Sequence, residues 1–171
     1  TLIYVYGGFD VAELPHYMGS IGRHWLEKGY SFVLANIRGG GEFTHWHEAA
    51  QREHKHKSVD DLLAVIQDLH NKGLPQPNKT AIQGGSNGGL ITASAFVREP
   101  NRMGALVCEV PLTDMLRYTK LSAGASWIDE YGNPDDPTMH HYLKTFSPYH
   151  QINSNTNYPP ALITTNLADD R

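Results

Sequence analysis

The chain has 171 residues, of which 40% are hydrophobic, and its 18 acidic and 14 basic side chains give a formal net charge of −4. This length and apolar content allow one sizeable core, so we expect a single domain or part of a larger one. The acidic excess argues against a nucleic-acid-binding surface, and no apolar stretch approaches the ~20 residues of a membrane span. We therefore predict neither nucleic acid nor a membrane as a partner.

Short apolar segments rich in β-branched and aromatic residues alternate with helix-like segments along the chain. Strands that are covered on both faces have this composition. The predicted strands lie at residues 1–6, 30–36, 79–84, 104–110 and 160–166. Because strand and helix alternate, we predict an α/β fold with a mostly parallel sheet and helices on both faces.

The clearest helix is predicted for residues 58–73. Ser58 is expected to cap its first turn, Asp60 and Asp61 are expected to lie within that turn, and Gly73 is expected to end the helix.

Four further segments between the strands complete the prediction. Residues 16–28 and 88–97 are weaker helix candidates. Residues 111–158 contain Gly-Asn-Pro and Asp-Pro turn signals and predict loops and short helices above the sheet. The run His-Lys-His-Lys at 54–57 is expected to be a solvent-exposed stretch rather than a metal site.

Residue 1 already lies in a predicted strand, and the last predicted strand is followed at once by charged residues. We therefore expect the chain to be a piece of a longer protein whose sheet is incomplete at both ends. The single cysteine, Cys108, permits no intrachain disulfide, and no targeting segment is visible. The compartment is left open between cytoplasm and periplasm.

The sequence Gly-Gly-Ser-Asn-Gly at 84–88 places Ser86 between a predicted strand and a predicted helix. In G-x-S-x-G motifs with this context, the serine occupies a sharp, strained turn and exposes its hydroxyl above the sheet. Such a hydroxyl becomes a nucleophile only with a base that is itself oriented by a carboxylate. We predict that Ser86 is a nucleophile, and the alternative is a glycine-rich turn with an incidental serine.

Two competing motifs are incomplete. His47 and Glu48 begin like the zinc helix H-E-x-x-H, but Gln51 occupies the position of the second histidine. The glycines at 39–41 lack the Lys-Ser/Thr pair of a phosphate-binding loop. We predict no metal and no cofactor.

Six motifs, in order and nearly from end to end, resemble those of the prolyl oligopeptidase family of serine peptidases, whose catalytic domain is an α/β-hydrolase. The motifs are YVYGGF (4–9), ANIRGGGEF (35–43), GGSNGGL (84–90), GASWIDEYG (124–132), FSPYH (146–150) and ADDR (168–171). The resemblance implies that residues 1–171 form a partial catalytic domain. A β-propeller that restricts substrates to short peptides would lie upstream, and the segment with the catalytic histidine would lie downstream.

The resemblance also implies catalytic roles for particular residues. Ser86 resembles the nucleophile, and Asp169 resembles the carboxylate of the triad, with Asp170 as the alternative. Tyr6, through its hydroxyl, and Asn87, through its backbone N–H, resemble the two donors to the oxyanion. The role of Asn87 agrees with the general rule for the residue after such a serine.

The same resemblance implies a binding site for proline. Trp127 resembles the residue that stacks on the proline ring, with Phe9 and Tyr131 as walls and Leu112 as a fourth contact. Arg171 matches an arginine that donates hydrogen bonds to a substrate carbonyl. A flat apolar slot suits proline, because its ring offers area but no donor. Arg38 is expected to organise a turn and has no assigned substrate role.

The predicted function is therefore cleavage of short peptides after proline through an acyl-enzyme, with a monomer favoured by the resemblance. None of the ten histidines follows Asp169, where the base stands in the order of this fold. The isolated fragment is accordingly predicted to be inactive. Two alternatives stay open: an esterase or acylaminoacyl peptidase on the same fold, and a non-catalytic α/β-hydrolase that only binds.

Overall fold

A computed structural model describes residues 1–169, and a parallel sheet organises them. Within this range the strands are β1 (Leu2–Val5), β2 (Phe32–Ala35), β3 (Ala81–Gly85), β4 (Ala105–Glu109) and β5 (Ala161–Thr164). Neighbouring strands are all parallel and follow the order β2-β1-β3-β4-β5. All five predicted strands are present, and the prediction of a parallel sheet is confirmed.

Helices occupy the connections between the strands. The α-helices are α1 (Gly19–His24), α2 (His56–Asn71), α3 (Asn87–Arg98), α4 (Ile128–Tyr131), α5 (Pro137–Phe146) and α6 (Pro148–Gln151). Short 3-10 helices lie at Leu26–Lys28, Glu48–Ala50, Arg52–His54, Pro77–Lys79, Pro100–Arg102, Tyr118–Lys120 and Gly124–Trp127. α3 is buried over residues 87–96 and packs on β3, β4 and α2, so it is the central helix of the core.

The start of α2 differs from the prediction. The helix begins at His56, and its first turn contains no acidic residue, so the predicted cap and first-turn acids are wrong. Ser58 lies inside the helix and donates from Oγ to the Arg38 carbonyl at 2.7 Å. Asp61 accepts from Arg38 Nε at 2.8 Å and from its terminal nitrogen at 2.6 Å. The Ser58 and Asp61 side chains therefore bind the loop that contains Arg38, and the local sequence does not predict this contact.

Two further predicted regions are present, and the structure defines their bounds. The helix predicted at 16–28 is split into α1 and a 3-10 turn, and Gly29 ends it with a φ of 82°. Residues 111–158 contain the loops and short helices that were predicted. The longest of these helices is α5, where Asp136 caps the N-terminus by accepting from the backbone N–H groups of Thr138 and Met139.

The strand order positions the functional edge of the sheet. From β1 the chain crosses to β2 on one side and then returns to β3 on the other side of β1. Parallel α/β sheets bind ligands at the carboxyl ends of the strands where such a reversal occurs. Tyr6 directly follows β1 and Ser86 directly follows β3, so the fold brings both residues to this edge.

Candidate active site

Ser86 is the single residue between β3 and α3, and its backbone is strained. Its φ of 54° and ψ of −114° lie outside the regions that non-glycine residues normally occupy. Its N–H donates to the Glu109 carbonyl at 2.8 Å, which holds the turn against β4. This is the geometry of a serine on a strand-to-helix elbow, with its hydroxyl presented at the edge of the sheet.

Glycines on either side of the serine allow the backbone segments to approach each other. A Cβ at Gly84 would collide with the carbonyl of Gly88, and a Cβ at Gly88 would collide with the carbonyl of Val5. The start of α3 therefore lies directly against the ends of β1 and β3. Any larger residue at either position would separate Ser86 from the segment that follows β1.

Asn87 connects the start of α3 to two other parts of the site. Its fully buried side chain donates from Nδ2 to the Tyr6 carbonyl at 2.6 Å. Its Oδ1 accepts from the Tyr131 hydroxyl at 3.0 Å. Because Asn87 is the first residue of α3, its own backbone N–H has no acceptor within the helix. That N–H, beside Ser86, is a group that could stabilise negative charge.

An apolar cavity of about 600 Å³ opens beside Ser86. It is lined by Tyr6, Phe9, Ser86, Leu112, Ala123, Trp127 and Tyr131. The Phe9 and Tyr131 rings meet edge to face, with centroids 5.7 Å apart at 84°. The structure thus brings together all four residues predicted to contact proline with the predicted nucleophile and Tyr6. Ala123 was missed by the sequence reasoning, because a small residue in a loop carries no pattern.

A second cavity, of about 430 Å³, joins Ser86 to Asp169. Ser122 donates from its hydroxyl to the Asp169 carbonyl at 3.0 Å and holds the segment after β5 in place. No histidine is among the described residues that line this cavity or the apolar one. His150, the histidine nearest to Asp169 in sequence, is engaged with Ser147 through Nδ1 at 2.8 Å.

Two predicted residues, Asp170 and Arg171, lie outside the described residues. The choice of Asp169 over Asp170 and the substrate contact of Arg171 stay predictions.

Behind the apolar cavity lies a buried ion pair. Lys55 Nζ is 2.5 Å from Glu130 Oε1, and the two side chains are 0% and 3% exposed. The prediction that residues 54–57 are solvent-exposed is therefore wrong for Lys55. Burial lowers the pKa of Lys55. Burial alone would raise the pKa of Glu130, but Lys55, together with hydrogen bonds from His47 and the Phe9 N–H, holds it below its ordinary value.

Other kinds of site find no support in the part of the chain that the structure describes. No group of three or more His, Cys, Asp or Glu side chains in residues 1–169 is arranged to hold a metal ion. Over the same residues, every helix is too short or too polar to cross a membrane.

Comparison with known proteins agrees with this geometry. Residues 17–171 match the prolyl oligopeptidase family. An uncharacterized peptidase of Sinorhizobium fredii is 44% identical over 100% of the chain, and a prolyl endopeptidase of Elizabethkingia miricola is 35% identical over 100% of it. The chain covers 24% of each of these proteins.

A solved structure gives the same result for the fold. Prolyl oligopeptidase B from Galerina marginata, bound to a 25-residue macrocyclization substrate, superposes with a TM-score of 0.91 at 38% identity. The match covers 95% of this chain and 23% of that protein. The predicted α/β-hydrolase class is confirmed, and the chain spans about a quarter of the length of the relatives it matches.

Proposed function

The chain belongs to the prolyl oligopeptidase family, and from this premise we propose that it is part of a serine peptidase that cleaves short peptides after proline. One observation carries the proposal: Ser86, on its strained turn, opens into an apolar cavity that four aromatic side chains line. Proline fits such a cavity because its ring buries apolar area and needs no hydrogen-bond acceptor. The substrate is a short peptide.

In the proposed reaction, the Ser86 hydroxyl attacks the carbonyl carbon of the proline residue. The hydroxyl proton passes to a histidine located C-terminal to this chain, which then protonates the leaving amine. Asp169 would orient that histidine, and the cavity shared by Ser86 and Asp169 has room for an imidazole ring. The product of this step is an acyl-enzyme on Ser86, which water hydrolyses.

Negative charge develops on the carbonyl oxygen during attack. We assign its stabilisation to the Tyr6 hydroxyl and the Asn87 backbone N–H, which approach from the two strands that flank the reversal of the sheet. Trp127 would stack on the proline ring, with Phe9, Tyr131 and Leu112 around it. Ala123 completes this pocket, and Arg171 would bind a substrate carbonyl.

We further propose that the full-length protein carries a β-propeller before these residues and the histidine-bearing segment after them. Exposed strand β5 supports a continuation of the fold, since Leu162 and Ile163 are each 59% exposed at the edge of the sheet.

The test uses the full-length protein. A fluorophosphonate probe should label Ser86, and Ser86→Ala should abolish both labelling and hydrolysis of a prolyl-anilide peptide. A matched alanyl-anilide and a simple acyl ester measure specificity. Labelling at another residue, or activity that survives in Ser86→Ala, would refute the assignment of the nucleophile. Hydrolysis of the acyl ester with no detectable hydrolysis of the prolyl peptide would instead indicate an esterase.

A further inference from the structure

The Lys55–Glu130 ion pair takes no part in the proposed chemistry, yet it is one of the most buried charged pairs in the described chain. Removing two charges from water costs several kcal/mol per ion, and replacing such a pair by apolar residues of similar volume is often neutral or stabilising. Stability alone therefore gives a weak reason for this pair. What the two charges hold in place is more informative.

Both charged groups bind the backbone of the turn that follows β1. Lys55 Nζ donates to the Gly7 carbonyl at 3.1 Å, and Glu130 Oε1 accepts from the Phe9 N–H at 3.2 Å. This turn carries Phe9, one wall of the apolar cavity, and it directly follows Tyr6. The ion pair is thus bonded to one side of the cavity at two successive points.

The adjoining wall, Tyr131, is attached to the same pair. Glu130 is covalently linked to Tyr131, whose ring lies against Phe9, and Lys55 Nζ lies 5.6 Å from the centre of the Tyr131 ring. Glu130 is also fixed from outside, because His47 Nε2 lies 2.7 Å from Oε2.

The turn needs such support, because its backbone is strained. Phe9 has a φ of 54° and Asp10 has a φ of 57°, a left-handed conformation that bulky residues rarely adopt. Residues of this kind persist only where their surroundings hold them. The bond from the Phe9 N–H to Glu130 lies at the strained residue itself.

We propose that Lys55 and Glu130 are positioning residues that fix Phe9 and Tyr131, two adjoining walls of the proline pocket, relative to each other. This inference rests on the proposed function. Without the pair, the turn at Gly7–Phe9 relaxes, Phe9 moves relative to Tyr131, and the pocket no longer fits a proline ring. The preference for proline over alanine should then fall more than the general ability to cleave.

The decisive variant is the double substitution Lys55→Met with Glu130→Met in the full-length protein. It removes both bonds to the turn, keeps similar volume and leaves no unpaired buried charge. We expect the ratio of kcat/KM for a prolyl-anilide to that for an alanyl-anilide to fall about 10- to 100-fold, as for other misplacements of a binding group by about 1 Å. Glu130→Gln keeps the acceptor for the Phe9 N–H and should retain a larger part of the ratio than Glu130→Met.

Ile66→Ala is the matched control. Ile66 is fully buried on α2 and lines neither cavity at Ser86, so its loss should lower the melting temperature while the proline-to-alanine ratio stays unchanged. If the folded double variant keeps the wild-type ratio, the ion pair is only structural and the inference is wrong.

Hydrogen exchange gives a readout that is independent of activity. Amide exchange at residues 6–10 should accelerate at least about tenfold in the double variant and much less in Ile66→Ala, since only the former loses bonds to this turn. Unchanged exchange in the double variant would overturn the positioning role. A wild-type protein without any preference for proline would overturn the proposed function instead, and the exchange experiment would still test the pair.

Discussion

Two glycines of the turn around Ser86 should respond in opposite ways to substitution by alanine. A Cβ at Gly88 would collide with the Val5 carbonyl and lie 3.2 Å from Tyr6 Cα. Both obstacles are backbone atoms at the end of β1, which is paired with strands on both sides and has little freedom to move. A Cβ at Gly85 would meet nothing closer than 3.7 Å, which is ordinary contact.

The magnitudes follow from these distances. Within a helix, alanine is favoured over glycine by about 0.5–1 kcal/mol, so Gly88→Ala would be stabilising if space were available. Overpacking costs about 1–3 kcal/mol, and a fixed backbone obstacle places the cost at the upper end. The net effect of Gly88→Ala should be a loss of about 2–2.5 kcal/mol. Gly85→Ala should be neutral or stabilising by up to about 1 kcal/mol, because alanine reduces the entropy of the unfolded chain.

The assay compares the urea midpoints of the two variants in the full-length protein, together with the rate at which a fluorophosphonate labels Ser86. Gly88→Ala should lower the midpoint and slow labelling, since it pushes the start of α3 away from Tyr6. Gly85→Ala should change neither by much. The close approach of α3 and β1 would be refuted if the two variants had equal urea midpoints, or if the midpoint of Gly85→Ala were lower than that of Gly88→Ala.

Three further predictions concern the site and its surroundings. Tyr6→Phe should lower kcat by about 100- to 1000-fold with little change in KM, as when one oxyanion donor is lost, and an unchanged kcat would remove Tyr6 from catalysis. Trp127→Ala should lower kcat/KM for a prolyl substrate at least about tenfold more than for its alanyl analogue, whereas equal losses would indicate damaged folding. Lys55 and the hydrogen bonds from His47 and the Phe9 N–H hold the pKa of Glu130 below its ordinary value of 4.5 despite burial. Near and below this pH, the unfolded state therefore binds more protons than the folded state. The unfolding free energy that wild type gains over Glu130→Gln should therefore be fully present above pH 4.5 and shrink as the pH falls through the lowered folded pKa, which urea denaturation at a series of pH values would measure. A constant difference across that range would contradict the proposed charge state of Glu130.

The parts of the fold that local sequence predicts are those that local physics determines. β-branched apolar runs gave all five strands, and the elbow at Ser86 was predicted because its glycines and its position between strand and helix are visible in one short segment. The N-terminus of α5 carried a readable signal as well. Asp136 followed by Pro137 is typical of a helix start as well as of a turn, which agrees with the loops and short helices predicted for residues 111–158.

The missed features depend on partners that are distant in sequence. Lys55 looks like one residue of a basic, exposed run, and its burial is made tolerable by two distant partners, the Gly7 carbonyl and Glu130, which is 75 positions away. Likewise, Ser58 resembles a helix cap, but its hydroxyl instead donates to the carbonyl of Arg38 in a loop that is distant in sequence. Patterns of hydrophobicity and propensity contain no information about such pairs, since the same residues would be exposed in another topology.

Asn87 shows how the distant contacts determine what each group can do in the site. Its side-chain amide is occupied at both ends, by the Tyr6 carbonyl and by the Tyr131 hydroxyl, and it is fully buried. A substrate oxygen that displaced either of these bonds would leave a buried polar group unpaired, which costs about 1–3 kcal/mol. The backbone N–H has no such competing partner within the helix and lies at its positive end. The two parts of Asn87 therefore differ in what they can do: the side chain ties α3 to Tyr6 and Tyr131, and the main-chain N–H remains available for the oxyanion role that we propose.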